Sequence, residues 1–449
     1  MIKEMTHGSP PKLILGFMIP LLFGNIFQNL YSMVDAAIVG QVLGTDALAA
    51  VGCTGSVTFL LIGFSLGICS GFAIPVAQRF GAQDYADMRK YLGNSVVLIS
   101  GFAVVFAILT AVMCRTILTW MGTPADVIDQ ASAYLTVIFL GIPATLLYNM
   151  VSDILRALGD SRTPVLFLVV ASVTNVILDF VLILWTPMGV AGAALATILS
   201  QLVSGVGSLI FMIRRYDIIH ITRDDLKLSR SHVNMLVNMG VPMALQTSIT
   251  AIGNVILQGA INSLGVVSMA SITAGNKVFM FFDSGTGAMG VTMSNYSGQN
   301  LGAKKFDRIS KGVKTSTTIM AIYSAVGFIV LALVGRPMLH LFMDASETQV
   351  MDYAYRYIII NSAFLFPLSL VNSVRFVIQG MGFSRLAVFA GVLEMFARGL
   401  TGLILVPAFG FTAACFASPL AWIFADCFLI PAYRHCIRRA RREGEAAAE

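Results

Sequence analysis

The stretch AQRFGAQDYADMRKYL, residues 77–92, returns 221 residues later as GQNLGAKKFDRISKGV, residues 298–313. Gln78 aligns with Gln299, Gly81 with Gly302, and Ala82 with Ala303. Two further pairs keep the register: LGTDALAAVG from Leu43 with LGVVSMASIT from Leu264 at the same offset, and ALGDSRTPVLF from Ala157 with GMGFSRLAVFA from Gly380 at 223. Three matches in order at nearly one offset read as an internal duplication.

The duplicated unit is a set of membrane spans. Of the 449 residues, 57% are hydrophobic and 12% charged, with mean hydropathy +0.82; a soluble domain carries about a quarter charged residues. Apolar runs of about 20 residues, enough to cross the hydrocarbon core, recur along the chain. They give twelve spans, at about 13–40, 50–76, 92–114, 130–153, 164–185, 189–213, 236–262, 270–296, 313–335, 353–376, 386–406 and 411–433. All are expected to be helices, because an open strand edge in lipid leaves backbone groups unpaired. Pro20, Pro143, Pro242 and Pro367 interrupt several of them. The first run is too long for a signal-peptide core and reads as a retained helix.

The connections alternate in charge. One set holds Arg79, Arg89, Lys90, Arg156, Arg162, RRYDIIHITRDDLKLSR, Lys304, Lys305, Arg308, Lys311, Lys314, Arg385 and RHCIRRARR; the other holds only Arg115 and Arg336. By the positive-inside rule the rich set is cytoplasmic, which puts both termini inside. The net charge of +6 therefore marks a membrane face, and nucleic acid is not expected as a partner. The expected fold is all-α and polytopic, with twelve transmembrane helices in two parallel-repeat six-helix lobes around a central cavity. The lobes are residues 1–213 and 236–433, with a cytoplasmic linker at 214–235 and a cytoplasmic tail at 434–449. Such paired lobes suit alternating-access transport.

A carboxylate near the centre of a lipid-facing helix costs roughly 3 kcal/mol, so an acid at depth usually faces protein. Asp35, in the first span, and Asp179, in TNVILDFVLILW of the fifth, are the clearest cases. Gln28 precedes Asp35 by seven residues and Asn175 precedes Asp179 by four, each sharing its acid's helix face. Asn149 and Thr197 lie at comparable depth, and the six together would make a polar pocket in the N-terminal half. Two acids brought together in a buried place give a site able to exchange a proton or hold a small cation. The bland alternative is that each acid only hydrogen-bonds a neighbouring helix. An Asn would do that at lower cost, which favours function for this pair.

In the C-terminal half, Lys277, Asp283, Glu394, Arg398 and Asp426 lie in spans. Glu394 and Arg398, spaced i, i+4, suit a structural ion pair; the roles of Lys277 and Asp283 stay open. The six cysteines are scattered without a CxxC spacing and read as small buried hydrophobes. No Walker loop, HExxH or GxSxG is present, so an ion gradient is the more economical drive than ATP, and no enzyme activity is expected.

From about Leu13 to Tyr433 the sequence resembles the multidrug and toxic compound extrusion (MATE) transporters, closer to their DNA-damage-inducible-type branch. The resemblance rests on MVDAAIVGQVLGTDALAAVG, AQRFGAQD, LRALGDSRTP, TNVILDF and the repeated GQNLGAKKFDR. It implies a twelve-helix antiporter of the plasma membrane that exports amphiphilic, often cationic, organic compounds for protons or sodium ions. By the same resemblance Asp35 and Asp179 match an acidic pair, and Gln28, Asn149, Asn175 and Thr197 match its polar partners. Pro20 matches a proline at which the first helix bends, and a sodium ion would sit at Asp35, Asp179, Asn175 and Thr197. Another branch places a glutamate in the seventh span and an aspartate in the tenth, where this sequence has Thr250 and Asn372. Coupling is therefore expected in the N-terminal half.

The expected partners are small organic substrates and membrane lipids, with the chain acting as a monomer and needing no cofactor beyond the coupling ion. The alternative is a flippase for a lipid-linked sugar or cell-wall precursor. An anionic pyrophosphate would call for several arginines in the cavity, and the positives at membrane depth are few, chiefly Lys277 and Arg398.

Overall fold

Lipid offers the backbone no hydrogen-bonding partner, so each crossing segment must satisfy its own peptide groups. In a computed structural model of the chain, which describes residues 4–186, 188–342 and 347–446 apart from the side chains at 45, 46, 48 and 49, that requirement is met by helices throughout. The first half holds α1 (Pro10–Leu43), α2 (Thr45–Gly81), α3 (Tyr85–Trp120), α4 (Ile128–Leu140), α5 (Ile142–Ala157), α6 (Arg162–Leu184) and α7 (Val190–Arg215). The second holds α8 (Arg230–Asn262), α9 (Val266–Gly302), α10 (Phe306–Leu339), α11 (Thr348–Ala363), α12 (Leu365–Gly380), α13 (Ser384–Leu400), α14 (Val406–Phe409) and α15 (Phe411–Ala446). A wide π turn, Thr401–Leu405, joins α13 to α14.

Among the described residues, nine helical segments are each long and apolar enough to cross a bilayer, α13 and α14 counting with their π turn as one. Two further crossings are bent, α4 with α5 at 47° and α11 with α12 at 49°. Pro143 and Pro367 lie in the first turns of α5 and α12, where a missing N–H breaks no intrahelical bond. The twelfth is α9, whose 37 residues suffice in length but include Asn276, Lys277 and Asp283. The result is twelve crossings, with the bends at matching places in the two halves, as the duplication leads one to expect.

The chain divides into two compact units, one built on Phe23–Ala244, the other on Met5–Leu22 and the chain from Leu245 onward. The divisions fall inside α1 and α8, each two residues after an internal proline, Pro20 and Pro242. They do not fall in the polar connection, which begins after Arg215 and ends before Arg230. The expected tail from residue 434 is helical, as α15 continues to Ala446.

In the first unit, Gly67 and Gly71 of α2 meet Ala244 and Gly240 of α8. A Cβ at Gly67 would lie 2.6 Å from Ala244 Cα, and one at Gly71 would lie 2.4 Å from Gly240 Cα. Two small-xxx-small faces thus let the helix backbones touch, the usual device where lipid supplies no hydrophobic drive between helices. The polar connection is held down by Asn94 of α3, whose amide donates to Asp225 O at 3.3 Å and Lys227 O at 3.2 Å and accepts from Ser229 N–H at 3.0 Å. All six cysteines are free; Cys69, Cys114, Cys415 and Cys436 are buried as expected, whereas Cys53 and Cys427 are exposed.

Candidate functional site

The LGDSRTP turn sets where α6 begins. Gly159 takes φ +83, a region open to glycine, and delivers Asp160 beneath the first turn. Asp160 accepts from Arg162 N–H at 3.0 Å, Thr163 N–H at 3.1 Å and the Thr163 hydroxyl at 2.6 Å, filling the orphan donors of the helix start. The Tyr216 hydroxyl, just past α7, donates to the same carboxylate at 2.7 Å and ties the two helices together. Burial pushes the Asp160 carboxyl up, but this set of donors outweighs it and holds the group below its ordinary value.

With α6 and α7 so fixed, Asn175 and Asp179 are both buried and share one face with Thr197 of α7. The carboxyls of Asp179 and of Asp35 on α1 lie close enough to share a hydrogen bond, and Oδ1 of each is buried and, among the described residues, accepts from no donor. A carboxyl can hydrogen-bond another carboxyl only if a proton lies between them.

The Asn175 amide satisfies both its ends in one orientation only. Its NH2 then donates to Asp179 Oδ2 at 2.9 Å and to the Tyr31 hydroxyl at 2.8 Å, while its carbonyl accepts from Thr197 N–H at 3.0 Å. The Tyr31 hydroxyl lies beside the Thr197 side chain, which donates to Ala193 O at 3.1 Å.

The structure thus brings together Asp35, Asp179, Asn175 and Thr197. Gln28 shares the face of Asp35 but lies two turns away, about 10 Å along the axis, with its side chain exposed. Asn149 is half-buried and donates to Thr145 O at 2.8 Å, one turn back on its own helix. Pro20 lies inside an unbroken α1 and removes the N–H that would have reached the carbonyl of Gly16.

Two tyrosines complete the group and were not singled out from sequence. Tyr31 precedes Asp35 by four residues, the spacing that does bring side chains into contact. Tyr134 of α4 lies near enough to interact electrostatically with both acids. No signal in α4 announces it, since it is an amphipathic ring in an apolar run.

The second unit contains a cavity of about 670 Å³ lined by residues of α8, α9, α11, α12, α13 and α15. Glu394 bridges two guanidiniums there, those of Arg375 on α12 and Arg398, the latter at 3.3 Å. The expected Glu394–Arg398 pair is therefore part of a triad. Arg375 also corrects the count of cations at membrane depth, because it sits within SVRFVIQG with no acid near it in sequence. Asp283 accepts from the Thr286 hydroxyl at 2.6 Å, to which Asn372 also donates, at 2.8 Å. Thr250 Oγ1 is buried with no partner among the described residues.

A family model described as MatE matches this chain twice, over residues 20–181 and 242–404. Pro20 and Pro242 open the two matches, so the model recognises the same duplication. The chain is 29% identical to "Probable multidrug resistance protein YoeA" of Bacillus subtilis (strain 168), over 74% of this chain and 73% of that protein. It is 26% identical to "DNA damage-inducible protein F" of Escherichia coli (strain K12), over 78% and 76%. A solved outward-facing multidrug resistance MATE family transporter superposes with a TM-score of 0.90 at 21% identity, covering 98% of each chain, a likeness of fold.

Proposed function

The chain belongs to the MatE family, and from that premise we propose that it is a secondary antiporter exporting amphiphilic organic compounds in exchange for protons by alternating access. The observation that carries the reading is the carboxyl pair of Asp35 and Asp179, two acids from separate helices brought close together, each with a buried oxygen that accepts nothing among the described residues. When the shared proton leaves, two like charges face each other in a low dielectric, and the pair must separate or be neutralised. A change in protonation is thereby tied to the position of α1 against α6, which is the differential interaction that coupling requires.

Protons are favoured over sodium by the donor set. A small hard cation needs a shell of oxygens, but Asn175 turns its NH2 toward Asp179 and spends its carbonyl on Thr197 N–H. The name of the Bacillus subtilis relative supports an organic cargo, and the family resemblance points to cationic amphiphiles within it. The charge bias of the loops supports a plasma-membrane protein with cytoplasmic termini.

The test is substrate flux in proteoliposomes with pH and sodium gradients imposed separately. Flux is expected to follow the pH gradient and to ignore sodium; flux driven by sodium alone would overturn the choice of ion, and flux driven by neither would overturn coupling.

A further inference from the structure

The cavity of the second unit plays no part in that coupling site, and its chemistry differs. Three cationic side chains line it, Lys277, Arg375 and Arg398. Both arginines are more than nine-tenths buried, with 6% and 5% of their surface exposed. Each spends one Nη on Glu394, and the Nε of each is buried with no acceptor among the described residues. Lys277 has no acid partner among the described residues; its Nζ lies 5.7 Å from the centroid of the Phe342 ring.

Among the described residues the acids nearby do not use up this capacity. Glu394 is shared between two guanidiniums, Asp283 is engaged with Thr286, and Asp426 stands behind the lining, within electrostatic reach of Arg375 and Glu394. Planar guanidiniums with open N–H groups are built for bidentate contact with oxyanions. Beside them Trp422 stacks on Phe279, ring centroids 6.2 Å apart and 15° from parallel, giving the cavity an aromatic wall. Its volume of about 670 Å³ suits a drug-sized ligand.

We propose that this cavity is a binding site for aromatic amphiphiles bearing an oxyanion, a carboxylate or a phosphate, held between Arg375 and Arg398. Glu394 is the internal anion that occupies the two guanidiniums when no ligand is bound and gives way to the incoming group. The exported class then includes organic anions, whose neutral and cationic counterparts lack the group these donors recognise. The inference rests on the second unit alone, and equilibrium binding without a gradient tests it whether or not Asp35 and Asp179 couple to protons.

The experiment is calorimetric titration of the full-length protein in lipid nanodiscs with four probes on one ring system: 1-naphthoate, 1-naphthyl phosphate, 1-naphthamide and 1-naphthylmethylammonium. Both anions are expected to bind at least about tenfold more tightly than the amide and the ammonium. Glu394→Gln is expected to tighten the anions severalfold by releasing both guanidiniums. Arg375→Gln alone leaves Glu394 with a single guanidinium, so the double variant Arg375→Gln/Glu394→Gln, which removes the charges together, is measured beside it. It is expected to keep the wild-type melting temperature within a few degrees and to lose the preference for anions. An ammonium that binds as well as the carboxylate, an anion preference that survives the double variant, or a folded Glu394→Gln protein that binds anions more weakly would each overturn the proposal.

Discussion

Asp35 and Asp179, 144 residues apart, lie carboxyl beside carboxyl, close enough to share a hydrogen bond, and sharing one requires a proton on one of them. Asparagine at either position keeps a hydrogen bond to the remaining acid but cannot release a proton. Asp35→Asn and Asp179→Asn are therefore expected to fold and reach the membrane, with melting temperatures within a few degrees of wild type. Flux driven by a pH gradient should fall to the level of protein-free liposomes in both. Full transport by either variant would remove that acid from the mechanism.

Tyr31 makes a different prediction, because it holds the network and not the proton. Its hydroxyl accepts from Asn175 at 2.8 Å and lies beside the Thr197 side chain. Tyr31→Phe removes that bond and leaves the ring, at a cost of about 1 kcal/mol. Initial rates of proton-driven flux should drop by roughly five- to tenfold while gradient dependence persists. Abolished flux would instead promote Tyr31 to a member of the proton path; unchanged flux would mean that Asn175 alone orients Asp179.

Much of the architecture was legible because lipid leaves few options: apolar length gives the crossings, and the 221-residue register gives the duplication. Of the candidate site, Asp35, Asp179 and Asn175 stood out as costly polar groups at depth. Gln28 illustrates the limit of face arguments, since a seven-residue spacing preserves direction but adds two turns of distance. Tyr31, Tyr134 and Arg375 were hidden for another reason: one tyrosine in an apolar run is ordinary, and one arginine acquires meaning only when a distant Glu394 folds against it. Likewise the division of the chain lies within α1 and α8, where continuous helices show no break in composition.

The approach of α2 to α8 yields a packing prediction with its own control. A side chain at Gly71 has no room, as its Cβ would lie 2.4 Å from Gly240 Cα, and the obstacle is backbone that cannot rotate away. Gly71→Leu is expected to lower stability by about 2 kcal/mol or more, seen as a lower melting temperature in detergent. Gly55, on the same helix, has nothing within 4 Å, so Gly55→Ala should be neutral or stabilise by up to about 1 kcal/mol through helix propensity. Equal responses at the two sites would show that α2 and α8 do not touch.

Asp160 supplies a prediction in pH, from outside the membrane spans. Its carboxylate accepts from Arg162, Thr163 and Tyr216, and together these outweigh burial and hold it below its ordinary value. A folded-state value below that of the unfolded chain, about 3.9 for Asp, means that the ionised form is preferred by the native state. Its contribution is then fully present above about pH 4 and disappears as pH falls through the folded value. Asp160→Ala leaves those donors without their acceptor and should cost about 1 to 3 kcal/mol near neutrality. Melting temperatures of wild type and variant, followed from pH 7 to about pH 3, should converge at the acid end as the wild type loses what the variant never had. A gap that stays constant across that range would assign the loss to packing of the Asp160 side chain and not to its charge.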